Sequence, residues 1–320
     1  INVPSTYPVR QMNGAHISGF VAIDLEKSVY PQSLMPKLKD LGYRLDVDAQ
    51  KAHTDLDAFL LDLDETLTAR IKTIEYLWDY ADWKIFMPTF TGTDRLMHFL
   101  WSAYEDKNHK HHNDFLNHFR RIDAAIGNLH SKLAENDILI ILSDHGFEKL
   151  QKDVYINRLL AREGFLAYRP KSETKLTNID STTKAFALDP ARIYLNHAGK
   201  YPAGGLKPND KNTCLKDLRQ MFSEFELEGK KVIKHIFTKE DIYSGPSLDS
   251  APDIVLIAEQ GFNLKGDMSA KELVGKGPFT GKHTYHDAFL LINKKDLAVD
   301  LPNQPSVTDA GRLLKKLATE

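Results

Sequence analysis

Cysteine is almost missing: Cys214 is the one thiol in 320 residues. A single thiol excludes an intramolecular disulfide framework and a cysteine-built zinc site. No run of about 18 uncharged apolar residues occurs, so no transmembrane helix is expected. Neither sign of charge dominates. Lys and Arg number 42 against 44 Asp and Glu, a formal net charge of −2. That balance excludes a globally basic nucleic-acid binder. An initiator Met and a signal-peptide pattern are also missing, because the chain opens Ile1-Asn2-Val3-Pro4. This opening reads as the tail of a strand entering a loop, so a fragment or processed product with an upstream natural start is expected. A reducing, cytoplasmic setting is the expectation, with an upstream signal left open.

What is present is the composition of a folded domain, with 42% hydrophobic and 27% charged residues. Histidine is plentiful at 13. A metal, if one binds, must be held by imidazole and carboxylate.

Along the chain, residues 1–50 are loop-rich, with a short helix over 33–42. Apolar residues at Leu56, Phe59, Leu60, Leu63, Leu67, Ile71, Ile74 and Leu77 follow helical spacing, and Thr54 reads as the N-cap. Trp83–Met87 reads as a strand. Helices are expected over 94–104, 115–134 and 153–164. The run Asp137-Ile-Leu-Ile-Ile-Leu142 has the pattern of a parallel strand buried on both faces. Strand candidates Arg192–Leu195, Asp253–Ile257 and Ala288–Ile292 and a closing helix 307–317 complete the pattern. The order of elements predicts an α/β fold with a mostly parallel central sheet flanked by helices. Residues 165–280, rich in Gly, Pro and Lys, read as an accessory or cap region within one domain over 1–320. The Lys pairs at 230–231, 294–295 and 315–316 read as solvated surface.

Three segments carry chemistry. The apolar run ends in Ser143-Asp144-His145-Gly146, two metal-ligand types and a turn-permitting Gly. Ligands in open α/β sheets bind beyond such strand ends, although an Asp and a His that merely cap the next helix fit the pattern too. Asp94 and His98 in Thr93-Asp-Arg-Leu-Met-His98 share one helix face a turn apart, so one ion can reach both; an N-terminal Asp favoured by the helix dipole is the plainer alternative. Gly281-Lys-His283-Thr-Tyr-His286 sets His283 beside a Gly-bearing turn before a strand, in a position that also suits a surface loop. Together the segments offer two carboxylates and three imidazoles. Two divalent ions about 3.5–4 Å apart could clamp both oxygens of a phosphoryl transfer.

Asp-x-x-x-His, then Ser-Asp-His-Gly-Phe after an apolar strand, then Gly-x-His-Thr before a strand, resembles the alkaline phosphatase superfamily. The branch it looks most like is the type I phosphodiesterase/nucleotide pyrophosphatase group. Asn2–Pro8, Ile193–Asn196 with Gly199 and Pro202, Glu240–Pro246 and Ala251–Asp253 resemble it as well, so the likeness spans essentially the whole chain. The resemblance implies Asp94, His98 and His283 on one ion and Asp144 and His145 on a second, the ions being zinc or manganese. It implies hydrolysis of a small-molecule phosphodiester or phosphomonoester through a covalent phosphoenzyme. The family's nucleophilic Ser or Thr and one further Asp ligand lie upstream of every motif matched here, so this stretch alone is expected to be inactive. No nucleic-acid polymer, membrane segment or particular oligomer is indicated.

Other features compete. Thr6 in Thr-Tyr-Pro is like the surroundings of some family nucleophiles, but no Asp-bearing strand precedes it. Asp62-Leu-Asp64-Glu-Thr66 is like the nucleophile motif of haloacid-dehalogenase phosphatases, a rival reading that uses Asp62 and Mg²⁺. Its helical surroundings put both Asp on a solvated face. A catalytically silent binding module of the same fold is the third reading. His109, His111 and His112 form a His-rich loop read as exposed. His16 and His286 are read as loop or packing residues, with His286 near enough to His283 to support it.

Overall fold

The structure is a computed structural model that describes residues 1–293 and 301–319. The chain divides into two compact units. The first comprises Ile1–Phe147 and His283–Glu320, and the second is the stretch Glu148–Lys282 between them. The class is mixed α/β, and none of the described helices is long and apolar enough to cross a membrane.

The first unit opens with α1 (Met35–Asp40), α2 (Leu56–Trp78), α3 (Gly92–Glu105) and α4 (His112–Ser131). α2 follows the apolar spacing read from the sequence. Its cap is Asp55 rather than Thr54: the Asp55 carboxylate accepts from the Ala58 backbone N–H, satisfying a donor that the helix cannot. α2 buries Phe59, Leu63, Leu67, Ile74 and Leu77. The Phe59 ring meets Phe99 of α3 edge-on at 5.4 Å. A smaller core gathers Ile17, Val29, Leu34, Leu38 and Tyr43.

Two segments depart from expectation. Trp83–Met87 is not a strand. Its aromatic residues turn inward on Trp78, with ring centroids of 4.7 Å to Trp83 and 5.1 Å to Phe86, leaving Ile85 and Met87 exposed. Aromatic rings satisfied by one another need no ladder. The run at 137–142 forms a strand only over Ile140–Leu142, and it pairs antiparallel with Leu290–Ile292. It is half-buried, with Leu142 38% exposed; its partner runs the opposite way, so the expected parallel, doubly buried strand does not form here.

The second unit holds α5 (Ile156–Arg162), α6 (Lys211–Glu224) and α7 (Lys239–Ile242). Gly164, in the left-handed region at φ +76°, ends α5 as its position in the sequence suggests. A four-stranded antiparallel sheet runs in the order Ile233–Thr238, Ile254–Ala258, Arg192–Leu195, Ala185–Leu188. Phe262–Lys265 joins Lys152–Tyr155 in a parallel ladder. Leu159, Leu160, Ile193, Leu195, Leu218 and Phe222 form the centre of its core. The region 165–280 falls inside this unit. The final helix, α8 (Val307–Thr319), returns to the first. Lys230, Lys231, Lys315 and Lys316 are exposed; the pair 294–295 lies outside the described residues.

Asp62 corrects a further expectation. It is buried on α2, where its carboxylate meets Arg44 Nη1 at 2.6 Å and Lys51 Nζ at 2.9 Å and accepts from the Asp48 backbone N–H at 2.8 Å. Burial alone would raise its pKa. The Lys51 hydrogen bond, the Asp48 N–H and the charges of Lys51 and Arg44 outweigh it and hold the carboxyl below its usual range. Asp62→Ala is expected to destabilise the protein by about 3 kcal/mol, the low end for a broken buried pair because both cations retain access to water. Chemical denaturation of the variant checks this value.

Candidate metal centre

α3 begins at Gly92 and places Asp94 in its first turn, where the helix dipole favours a carboxylate. Leu96, Phe99, Leu100 and Ala103 are buried along one side of the helix. Asp94, His98 and Trp101, spaced i, i+4 and i+7, lie along another. The strand Ile140–Leu142 delivers Asp144 and His145 one and two residues beyond Ser143. Gly146 then allows a close approach: a Cβ there would lie 2.7 Å from Thr284 Oγ1 and nearer still to the Asp287 carboxylate. His283 follows on the strand Gly281–Thr284.

All five residues singled out by the motifs come together. Asp94 Oδ2 lies 2.7 Å from His283 Nε2, 3.6 Å from His98 Nε2 and 3.7 Å from His145 Nε2. His98 Nε2 and His283 Nε2 are 2.9 Å apart, and the His145 and His283 rings stack at 3.8 Å. Asp144 Oδ2 is 3.5 Å from His145 Nε2, at the exposed rim. Asp94, His98 and His283 each offer one ligand atom within 4.8 Å of the others.

The donor chemistry fits a cation. A ring nitrogen has one in-plane position, filled either by a proton or by a lone pair. His283 Nε2 faces two partners at hydrogen-bonding distance, a carboxylate and a second imidazole nitrogen, and that one position cannot serve both. A cation among the three would take a lone pair from each. His145 Nδ1 lies 3.2 Å from the Gly146 carbonyl, which can only accept. Nδ1 therefore carries the proton, and in the neutral ring Nε2 turns a bare lone pair to the cluster. Burial would raise the Asp94 pKa, but the His283 hydrogen bond and the charges of His98, His283 and Arg95 prevail and hold its carboxyl below the ordinary range.

The motifs do not extend to the surroundings of the cluster. Phe147 packs its ring among the imidazoles, with centroids 4.9 Å from His98, 5.0 Å from His283 and 5.6 Å from His145. It stood in plain view in Ser-Asp-His-Gly-Phe. Arg95, next to Asp94, grips Asp46. No spacing rule links residues 46 and 95.

The competing features find structural roles. Thr6 Oγ1 donates to the Val3 carbonyl at 2.8 Å and lies 3.0 Å from His16 Nε2. Asp62 sits mid-helix among cations, unlike the strand-end nucleophile that the rival reading requires. His111 is buried between Asp114 (3.1 Å) and Asp57 (3.6 Å). His109 Nδ1 accepts from the His111 backbone N–H, and His112 Nδ1 meets the Ala103 carbonyl at 2.7 Å. The His-rich loop is thus bound into the start of α4 rather than left in solvent. His286 is exposed, with its ring against Tyr285.

Comparison with known proteins agrees at the level of the family. Among solved structures, phosphonoacetate hydrolase from Sinorhizobium meliloti 1021 in complex with phosphonoacetate is similar at 12% identity and a TM-score of 0.44, over 88% of this chain and 59% of that one. The same enzyme in complex with phosphonoformate is similar at 12% identity, a TM-score of 0.36 and the same coverage. The chain spans 59% of the length of these structures. No curated protein matches. The family model described as type I phosphodiesterase / nucleotide pyrophosphatase matches residues 4–286. The chain therefore belongs to the type I phosphodiesterase/nucleotide pyrophosphatase family, the group that its motifs resemble.

Proposed function

We propose that the complete protein is a metal-dependent hydrolase of small-molecule phosphodiesters, or of phosphomonoesters, and that this chain supplies most of its metal cage. The observation that carries the reading is the convergence of Asp94 Oδ2, His98 Nε2 and His283 Nε2 on one point, with two partners competing for one ring nitrogen. In this reading Asp94, His98 and His283 hold one ion, and Asp144 and His145 contribute to a second. Bound there, two such ions, zinc or manganese, would supply Lewis-acid chemistry, neutralising phosphate charge and making a hydroxyl or water more acidic. The residues of the chain do the rest. His145 keeps its lone pair on the cluster through the Nδ1–H bond to Gly146. Phe147 fills the space behind the imidazoles and excludes water from that side. The attacking Ser or Thr hydroxyl and a further Asp ligand are assigned to a segment outside these 320 residues, following the family's motif order. The covalent phosphoenzyme is part of the same proposal, as is a cap role for the region 165–280.

Treating the complete protein with a chelator is expected to abolish hydrolysis of bis-p-nitrophenyl phosphate, and adding zinc or manganese back to restore it. Asp144→Ala is expected to remove the activity, and Asp62→Asn to leave it. Hydrolysis unaffected by chelation, or lost with Asp62 and kept without Asp144, rejects the reading.

A further inference from the structure

We propose that Asp46 is a positioning residue for the metal centre: it holds the Arg95 guanidinium away from Asp94 and so leaves Asp94 to the imidazoles and their ion. This rests on the reading of the cluster as a metal site. Arg95 directly follows Asp94 on α3, so a guanidinium stands beside a ligand carboxylate. Neighbours on a helix diverge, but the Arg95 side chain is long enough to bend back to the 2.7–2.9 Å of a charge-assisted hydrogen bond. It does not do so: Arg95 Nη1 stays 3.6 Å from Asp94 Oδ1. Its Nη2 and Nε instead reach Asp46 Oδ2 at 2.8 and 3.2 Å.

The restraint has two further parts. The Phe20 ring lies under the guanidinium, with Cζ 4.7 Å from its centroid, and fixes the guanidinium's plane. Asp46 is itself held, because its Oδ1 accepts from the Val47 backbone N–H at 2.9 Å. The two oxygens of Asp94 are thereby divided: Oδ1 faces Arg95 at 3.6 Å, an ion pair without a hydrogen bond, and Oδ2 faces three imidazoles. Asp46 also offsets the charge of Arg95, which would otherwise repel a cation nearby. Without the Asp46 charge, Arg95 is free to swing onto Asp94 and draw it out of the cluster.

The signature is a suppressor relationship. Asp46→Asn keeps the acceptor for the Val47 N–H and removes only the grip on Arg95. In calorimetric titrations of this chain with Zn²⁺ alone, that variant is expected to bind about 10- to 100-fold more weakly. Asp46→Asn/Arg95→Met removes the competitor as well and is expected to return to within about threefold of wild type, as is Arg95→Met alone. A role in folding alone predicts the reverse, since the second substitution would add to the first. The proposal is overturned if Asp46→Asn binds Zn²⁺ like wild type, or if the double variant is as weak as Asp46→Asn. Asp46→Thr, whose hydroxyl oxygen also offers an acceptor to the Val47 N–H, is read the same way should Asp46→Asn not fold. Asp94→Asn separates the two levels. Weak binding there with full binding in Asp46→Asn defeats the positioning role alone. Full binding in Asp94→Asn, or none in wild type, defeats the metal site and the positioning role together.

Discussion

Asp94→Asn is expected to lower kcat/KM of the complete protein for a phosphodiester by about 10³-fold or more, a loss on the order of 4 kcal/mol of transition-state stabilisation. The size follows from the position of one oxygen. Asp94 Oδ2 is the atom that faces His98, His145 and His283 together, at 3.6, 3.7 and 2.7 Å. Asn keeps the shape but gives up the negative charge, and it can turn an amide N–H toward nitrogens that need a lone-pair acceptor or an ion. His98 and His283 would then be left to each other at 2.9 Å, an imidazole pair with no anion. Bound zinc per chain should fall in parallel with activity, which metal analysis of purified wild type and variant measures. With metal removed from both proteins the thermal midpoint should change little, because Asp94 is 27% exposed on its side chain and sits at a helix start rather than in the core. Activity within tenfold of wild type at an unchanged metal content would remove Asp94 from the centre.

Part of this site was legible in the sequence because it obeys local rules. Four-residue spacing placed Asp94 and His98 on one face of α3, and an apolar run ending in Ser-Asp-His-Gly placed Asp144 and His145 beyond a strand. Which segments meet in space was legible only through the order of the motifs. The surroundings were not legible. Asp46 comes from a loop before α2, and its pairing with Arg95 depends on tertiary approach that no period encodes. Asp62 shows the same limit from the other side. Helical periodicity gave it a solvated face, but Arg44 and Lys51 close over it from outside the helix. Trp83–Met87 carries the composition of a strand, and its rings are satisfied by Trp78 instead. Sequence pattern reports what a segment must bury, and leaves open whether a sheet or a cluster of rings buries it.

Acidification should lower the stability of the wild-type protein more steeply than that of a His118→Gln variant between pH 6.5 and about 4. His118 lies on the buried side of α4 with Phe115, Ile122 and Leu129, facing Thr66, Leu67 and Gly92 across a small cavity that Asp46 and Arg70 also line. Burial, helped by the Arg121 cation and opposed by Asp64, pushes its pKa from 6.5 down to about 4. The ring is therefore neutral in the fold while the unfolded chain takes up a proton below pH 6.5. The unfolded state binds more protons in that window, so stability falls as pH drops through it, by on the order of 3 kcal/mol in total. Above pH 6.5 both states hold the ring neutral, and below about pH 4 both hold it charged, so the slope from His118 vanishes outside the window. Asp62 and Asp94 cannot mimic this. Both are held below the usual carboxylate range, so their share is lost only at lower pH. Gln stays uncharged throughout. Thermal midpoints recorded from pH 7 to 4 should therefore converge with falling pH on, or cross, those of the variant by roughly 5–10 °C. Parallel curves would mean that His118 keeps an ordinary pKa in the fold, and that the packing of α4 against α2 and the start of α3 is loose enough to admit its charge.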